Sequence, residues 1–203
     1  LLHAREKAPA LVTLLRERKP VSFLKRCFGG DFEQVGFIRR NIVTALIRMD
    51  ALDSEIEAAL LEALGDPYFE VQAEAARAAA HFAGRLSSRE RFVRALLGNL
   101  RNRNLDVCTA AAEALGVIGG ERDALPELLR LWDTRFWKMR AAALRGLYLL
   151  VERGEVSDPE ALETEIPRFI LTSTDFRPHF EIKSTYRRLM ESLSRAREKG
   201  LRP

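Results

Sequence analysis

Residues 71–79, 107–115 and 139–147 read VQAEAARAA, VCTAAAEAL and MRAAALRGL, three versions of one pattern in which alanine stands where a core helix ordinarily carries leucine. Two looser copies, IRRNIVTAL at 38–46 and IKSTYRRLM at 182–190, flank them. The anchors Ile38, Val71, Val107, Met139 and Ile182 are 33, 36, 32 and 43 residues apart. An alanine side chain ends at Cβ and removes little apolar surface from water, so such helices let another backbone come close rather than fill space themselves. Each unit is too thin to enclose a core alone, and copies must stack to complete one.

Within each copy, small or apolar residues recur at the anchor, four on and seven on, with a larger one behind: Val71, Ala75, Ala78 and Phe82; Val107, Ala111, Ala114 and Ile118; Met139, Ala143, Gly146 and Leu150. That is the helical period, and it predicts the inward stripe of an amphipathic helix. Two residues before the anchor stands Phe69, Leu105, Trp137 or Phe180, expected to plug the start of the helix, and a polar or Pro-containing turn precedes it. A leucine-rich helix is predicted before each turn, at 53–65, 87–100, 121–132 and 158–171. Asp53, Ser87 and Asp158 are the N-caps expected there, with Glu90 in capping-box position behind Ser87 and Pro159 at a first helical position. Gly65, Gly84, Gly119 and Gly120 fall where helices should stop. Residues 8–17 supply the first helix of the first copy, and 19–36 read as an irregular connection. No stretch alternates with period two, so no sheet is expected.

With 203 residues, 47% of them hydrophobic and 31% charged, the chain can bury a core of its own. Its formal charge of +4 is uneven. Residues 1–28 and 183–203 each hold seven Lys or Arg and two Glu, which leaves the middle acidic overall. A nucleic-acid binder would more often carry a basic stripe along its working face. Cys27 and Cys108 have no CxxC or Cys/His spacing and read as core thiols of a reducing compartment. The apolar runs are short, the opening LLHAREKAP has no long apolar stretch, and cytoplasmic placement is expected. The chain does not open on Met, as expected of a piece of a longer polypeptide.

Antiparallel helix pairs of this period, with an apolar anchor, a basic residue after it and an Ala-rich tail, resemble the HEAT repeat, above all its short bacterial form. The unit Asp106, Val107, Ala111, Ala112, Ala114, Leu115, Gly116 carries the likeness best, and Arg39, Arg140 and Lys183 hold the basic position. The resemblance covers most of residues 8–190. It implies an all-α fold, an α-solenoid wound as a right-handed superhelix of about five hairpins, in one domain over 1–203 with repeats near 8–50, 51–84, 87–118, 121–153 and 157–199. Gln72 and Cys108 replace the basic residue, and the turn aspartate is visible at Asp66 and Asp133, so the family's ladder of polar side chains between repeats is not expected to run through.

In solenoids of this type the second helices line the concave surface, which is the usual binding face. Thr44, Arg77, Glu113, Arg145 and Arg188, six residues after each anchor, should point outward. With Arg39, Glu74, His81, Arg140 and Lys183 they form a mixed-charge stripe suited to a protein partner of complementary charge, which could be another domain of the same polypeptide. The function expected is a non-enzymatic interaction or scaffolding module, without cofactor or metal. The competing reading is nucleic-acid binding through Arg39, Arg40, Arg140, Arg145, Lys183, Arg187 and Arg188. A third reading, a base-excising pocket of the HEAT-like glycosylase kind, would use Trp132, Asp133, Phe136 and Trp137, although Trp137 in a plug position argues for repeat packing. His3, His81 and His179 share no ligand spacing. The basic segment 186–203 carries a stripe of Tyr186, Leu189, Met190 and Leu193 that should cap the stack.

Overall fold

The computed structural model describes residues 8–17, 31–134, 136–166 and 176–200. Cys27, His3 and the side chains of His179 and Phe180 lie outside what it describes. All regular structure among these residues is helical: α1 Ala8–Arg16, α2 Asp31–Arg48, α3 Ser54–Ala63, α4 Phe69–His81, α5 Arg89–Asn99, α6 Leu105–Ile118, α7 Ala124–Trp132, α8 Trp137–Glu152, α9 Pro159–Glu165 and α10 Phe176–Gly200, with a short 3-10 turn at Ala83–Arg85. They form two compact units, residues 1–111 and 112–203, with the division inside α6.

In the first unit α1 pairs with α2 and α3 with α4, while α1 lies beside α3, α3 beside α5 and α2 beside α4. First helices make one layer and second helices the other. The stripe predicted for α4 is the buried one: Val71, Ala75, Ala78 and Phe82 are all closed to solvent. In α2 the stripe is shifted by one residue. Ile38 is 53% exposed, and Arg39, Ile42, Val43 and Leu46 face the core instead. That helix also begins at Asp31, inside the stretch read as an irregular connection.

In the second unit α7 pairs with α8 and α9 with α10, and α8 lies beside α10. Ala143, Leu147 and Leu150 are fully buried and Met139 is partly so. Backbone closeness is extreme where the C-terminal part of α6 meets α8. A Cβ added to Gly116 would lie 2.5 Å from the Cα of Gly146, and one added to Gly146 would lie 2.9 Å from the carbonyl oxygen of Ala112. The small residues let two helices touch main chain to main chain, at the cost of side-chain burial. Leu189 and Leu193 of α10 are buried and its charged side faces water, the arrangement expected of a cap.

The helix ends divide into those foreseen and those not. Asp53 accepts from the amides of Glu55 and Ile56, and Asp158, followed by Pro159, accepts from that of Ala161. Ser87 and Ser88 form no capping box. Their amides and hydroxyls all donate to the buried carboxylate of Glu57 on α3. Helices α3 and α6 stop just before Gly65 and Gly119 as foreseen, but the left-handed C-terminal caps among the described residues fall at Asp50 (φ 50°) and Gly154 (φ 70°). At each, two amides bond back into the last turn: Asp50 to Ile47 and Ala51 to Leu46, Gly154 to Val151 and Glu155 to Leu150.

Candidate functional site

The turns before the second helices share one geometry. The side chain of Asp66 accepts from the amide of Tyr68 (2.8 Å), that of Asn102 from Asn104 (2.9 Å) and that of Thr134 from Phe136 (3.4 Å). These three residues lie 36 and 32 apart, the spacing of Val71, Val107 and Met139, so Thr134 holds the position assigned to Asp133. On this frame the first unit builds a polar ladder. Arg39 makes a two-pronged ion pair with Asp66 (Nε–Oδ2 2.9 Å, Nη2–Oδ1 2.8 Å), and both side chains are almost wholly buried. Gln72 donates to the carbonyl of Asp66 and accepts from Asn102 Nδ2 (2.7 Å), and the thiol of Cys108 lies 3.0 Å from the carbonyl of Asn102. The ladder therefore does run through this unit, with Gln72 and Asn102 replacing an Arg–Asp pair. Burial pushes the Cys108 thiol above its ordinary pKa.

This arrangement removes Arg39 from any surface role foreseen for it. The other predicted residues of the first unit are more accessible. Glu74 accepts from Thr44 Oγ1 and Arg77 Nη1, both at 2.8 Å, and Arg40 lies 3.6 Å from Glu70. His81 Nε2 lies 3.0 Å from Asp50, which Arg85 also meets. Arg85 first, then His81, hold the Asp50 carboxyl below its usual value.

Beside these pairs is an apolar patch, of which the repeat pattern had placed Ile38 and Phe69 inside. Phe37, Ile38 and Phe69 are 48%, 53% and 36% exposed. The guanidinium of Arg40 stacks 4.4 Å from the Phe37 ring centre, and Tyr68 lies against Phe69, with ring centres 5.4 Å apart. Gly36 allows this, since a Cβ there would come 2.4 Å from the Tyr68 ring. The plug expected at Phe69 is thus half outside. Because the α2 stripe is displaced by one residue, Ile38 turns outward, and the signal that would have found it is the better inward pattern of 39, 42, 43 and 46.

In the second unit Glu113 and Arg145 pair at 2.8 Å. Trp132 is buried, with the Arg140 guanidinium 4.7 Å above its ring, while Asp133, Phe136 and Trp137 are exposed. Desolvation lowers the Arg140 pKa against the opposing pull of Asp133. Trp132 is therefore a core residue covered by an arginine, not an open stacking platform. Lys183, Arg187 and Arg188 are exposed on α10. A cleft of about 580 Å³ opens between the end of α8, the start of α9 and α10. Its charges neutralise one another through Glu152–Arg195 (2.9 Å) and Glu160–Arg197 (4.0 Å), and Ser192 donates to Glu152. No group of three or more His, Cys, Asp or Glu among the described residues could hold a metal, and no helix there is long and apolar enough to cross a membrane.

Residues 56–148, from α3 into α8, match the family model for HEAT repeats. Two engineered proteins solved by the Northeast Structural Genomics Consortium share the fold. One is 22% identical, with 95% of this chain and 90% of that chain covered at a TM-score of 0.53; the other is 19% identical, with 93% and 91% covered at 0.56. No curated protein matches the sequence. The fold is an all-α solenoid of helical hairpins, and residues 56–148 are HEAT repeats.

Proposed function

We propose that the chain is a non-enzymatic protein-interaction or scaffolding module, and that in its first unit the partner docks on the second-helix layer around Phe37, Ile38 and Phe69. The observation that carries this is the exposure of three large apolar side chains beside the Arg40–Glu70 and Glu74–Arg77 pairs. Apolar anchors rimmed by charge are the composition of protein interfaces, where a few large side chains supply most of the affinity. Glu74, Arg77 and His81 then belong to the rim of that face. Rigid helices reduce the ordering cost of docking. A reducing, cytoplasmic setting fits the free buried thiol of Cys108.

The test compares proteins captured from lysate by the wild type and by a Phe37→Asp, Phe69→Asp variant shown by circular dichroism to keep its helicity. A discrete protein lost on the variant supports the reading. An identical set on both removes these residues from the interface.

A further inference from the structure

A second surface, on the opposite layer, has a chemistry of its own. Residues 85–103 contain six arginines and one glutamate, a basic block inside a middle region that is acidic overall. Helix α5 turns Phe92, Val93, Leu96 and then Leu100 inward. Its outward side carries Arg91, Arg94 and Gly98, which at 3.6 residues per turn fall within an arc of about 60°, and Arg101 and Arg103 follow in the exposed turn. We propose that this face binds the phosphate backbone of nucleic acid without reading its sequence.

Three observations support this assignment. First, folding does not reward Arg91, Arg94 and Arg103. Among the described residues the side chains of Arg91, Arg94 and Arg103 make no hydrogen bond or ion pair, whereas the acids of the neighbouring α3 are engaged: Glu55 and Glu62 with Arg16, Glu57 with Ser87 and Ser88. Arg89 and Arg91 stand in the first turn of α5, where the helix dipole disfavours cations, and Arg91 and Arg94 repel at i,i+3. Second, none of the exposed large apolar side chains, Leu14, Phe37, Ile38, Phe69, Phe136 and Trp137, lies on α5. A protein partner needs an apolar anchor, whereas a phosphate backbone needs only cations and donors, and the arginine fork matches phosphate oxygens two at a time. Third, a Cβ at Gly98 would meet nothing within 4 Å, so the helix surface between Arg94 and Arg101 lies open to close approach.

The experiment titrates the full chain against a fluorescein-labelled random-sequence DNA duplex by anisotropy between 50 and 200 mM salt. With three to four phosphate contacts, log affinity should fall against log salt with a slope of about −3. The double variant Arg91→Glu, Arg94→Glu should bind at least about tenfold more weakly at 50 mM salt. A control with the same change in charge, Arg48→Glu, Arg122→Glu, should lose less than about threefold; both fold-changes follow from screening of distant charges. If the reversals unfold the chain, Arg91→Gln, Arg94→Gln is held to the same standard. No binding at 50 mM, equal loss in the control, or tighter binding of poly-glutamate than of the duplex would each overturn the proposal.

Discussion

Arg39 and Gln72 occupy equivalent positions and do equivalent work with different chemistry. Each ties its helix to the turn of the next hairpin, Arg39 as an ion pair with Asp66 and Gln72 through Asn102. Reading residue types made Gln72 an interruption, because a pattern of types records the favoured charge pair and not the geometry that a neutral amide pair also satisfies. Removing Arg39 alone leaves the Asp66 carboxylate buried without its cation, so Arg39→Met should cost about 3–5 kcal/mol in denaturant unfolding. The double change Arg39→Gln, Asp66→Asn copies the neighbouring rung and should recover most of that loss; no recovery would mean that the two rungs are not interchangeable. Glu57 gives a pH dependence. Burial raises its pKa, but the bonds from Ser88 and Ser87 outweigh that and leave the carboxyl below its ordinary value. A depressed value stabilises the fold above the unfolded pKa of about 4.3 and ceases to do so as pH falls through the folded value. Glu57→Gln should therefore cost about 1–2 kcal/mol at pH 7, and its gap to wild type should close as the medium is acidified below about pH 4.

At the scale of the element, α2 keeps the repeat alignment, with Arg39 in the place of Gln72, but its buried stripe is turned by one residue from the anchor Ile38. An alignment built on Ile38 reads IRRNIVTAL as a loose copy, because a basic residue at the true inward position looks like an outward one. The ion pair with Asp66 is what admits Arg39 to the interior, and its partner lies 27 residues away. Unfolding measurements separate the two registers. Val43→Ala should cost about 1–3 kcal/mol and Ile38→Ser less than about 0.5 kcal/mol; the reverse order would restore the unshifted register. The helix caps carry the same lesson. Asp50 takes a left-handed conformation that glycine would adopt more easily, and its carboxylate meets His81 and Arg85 at the end of α4. No local rule marks it as a cap, because its partners lie 31 and 35 residues on.

For the whole molecule, stacking is what closes each core. Deleting residues 176–203 removes α10 and uncovers the face of α8 beside it, so hydrogen exchange along α8 should lose its protection; unchanged protection would make the α7–α8 hairpin self-sufficient. The sequence by itself determined that the regular structure of the described residues is helical, that the helices come in hairpins of thirty-odd residues, and which face of α4 and α6 is buried. Those properties follow from the spacing of small and apolar side chains along one helix, a local quantity. Tertiary structure alone decided that Arg39 is interior, that Phe37 and Ile38 are surface, that the polar ladder continues through Gln72 and Asn102, and that Arg91 and Arg94 of α5 stand unpaired among the described residues. Each of these depends on which group some thirty residues away arrives as neighbour, and on whether it offers a charge, a hydrogen bond or open water.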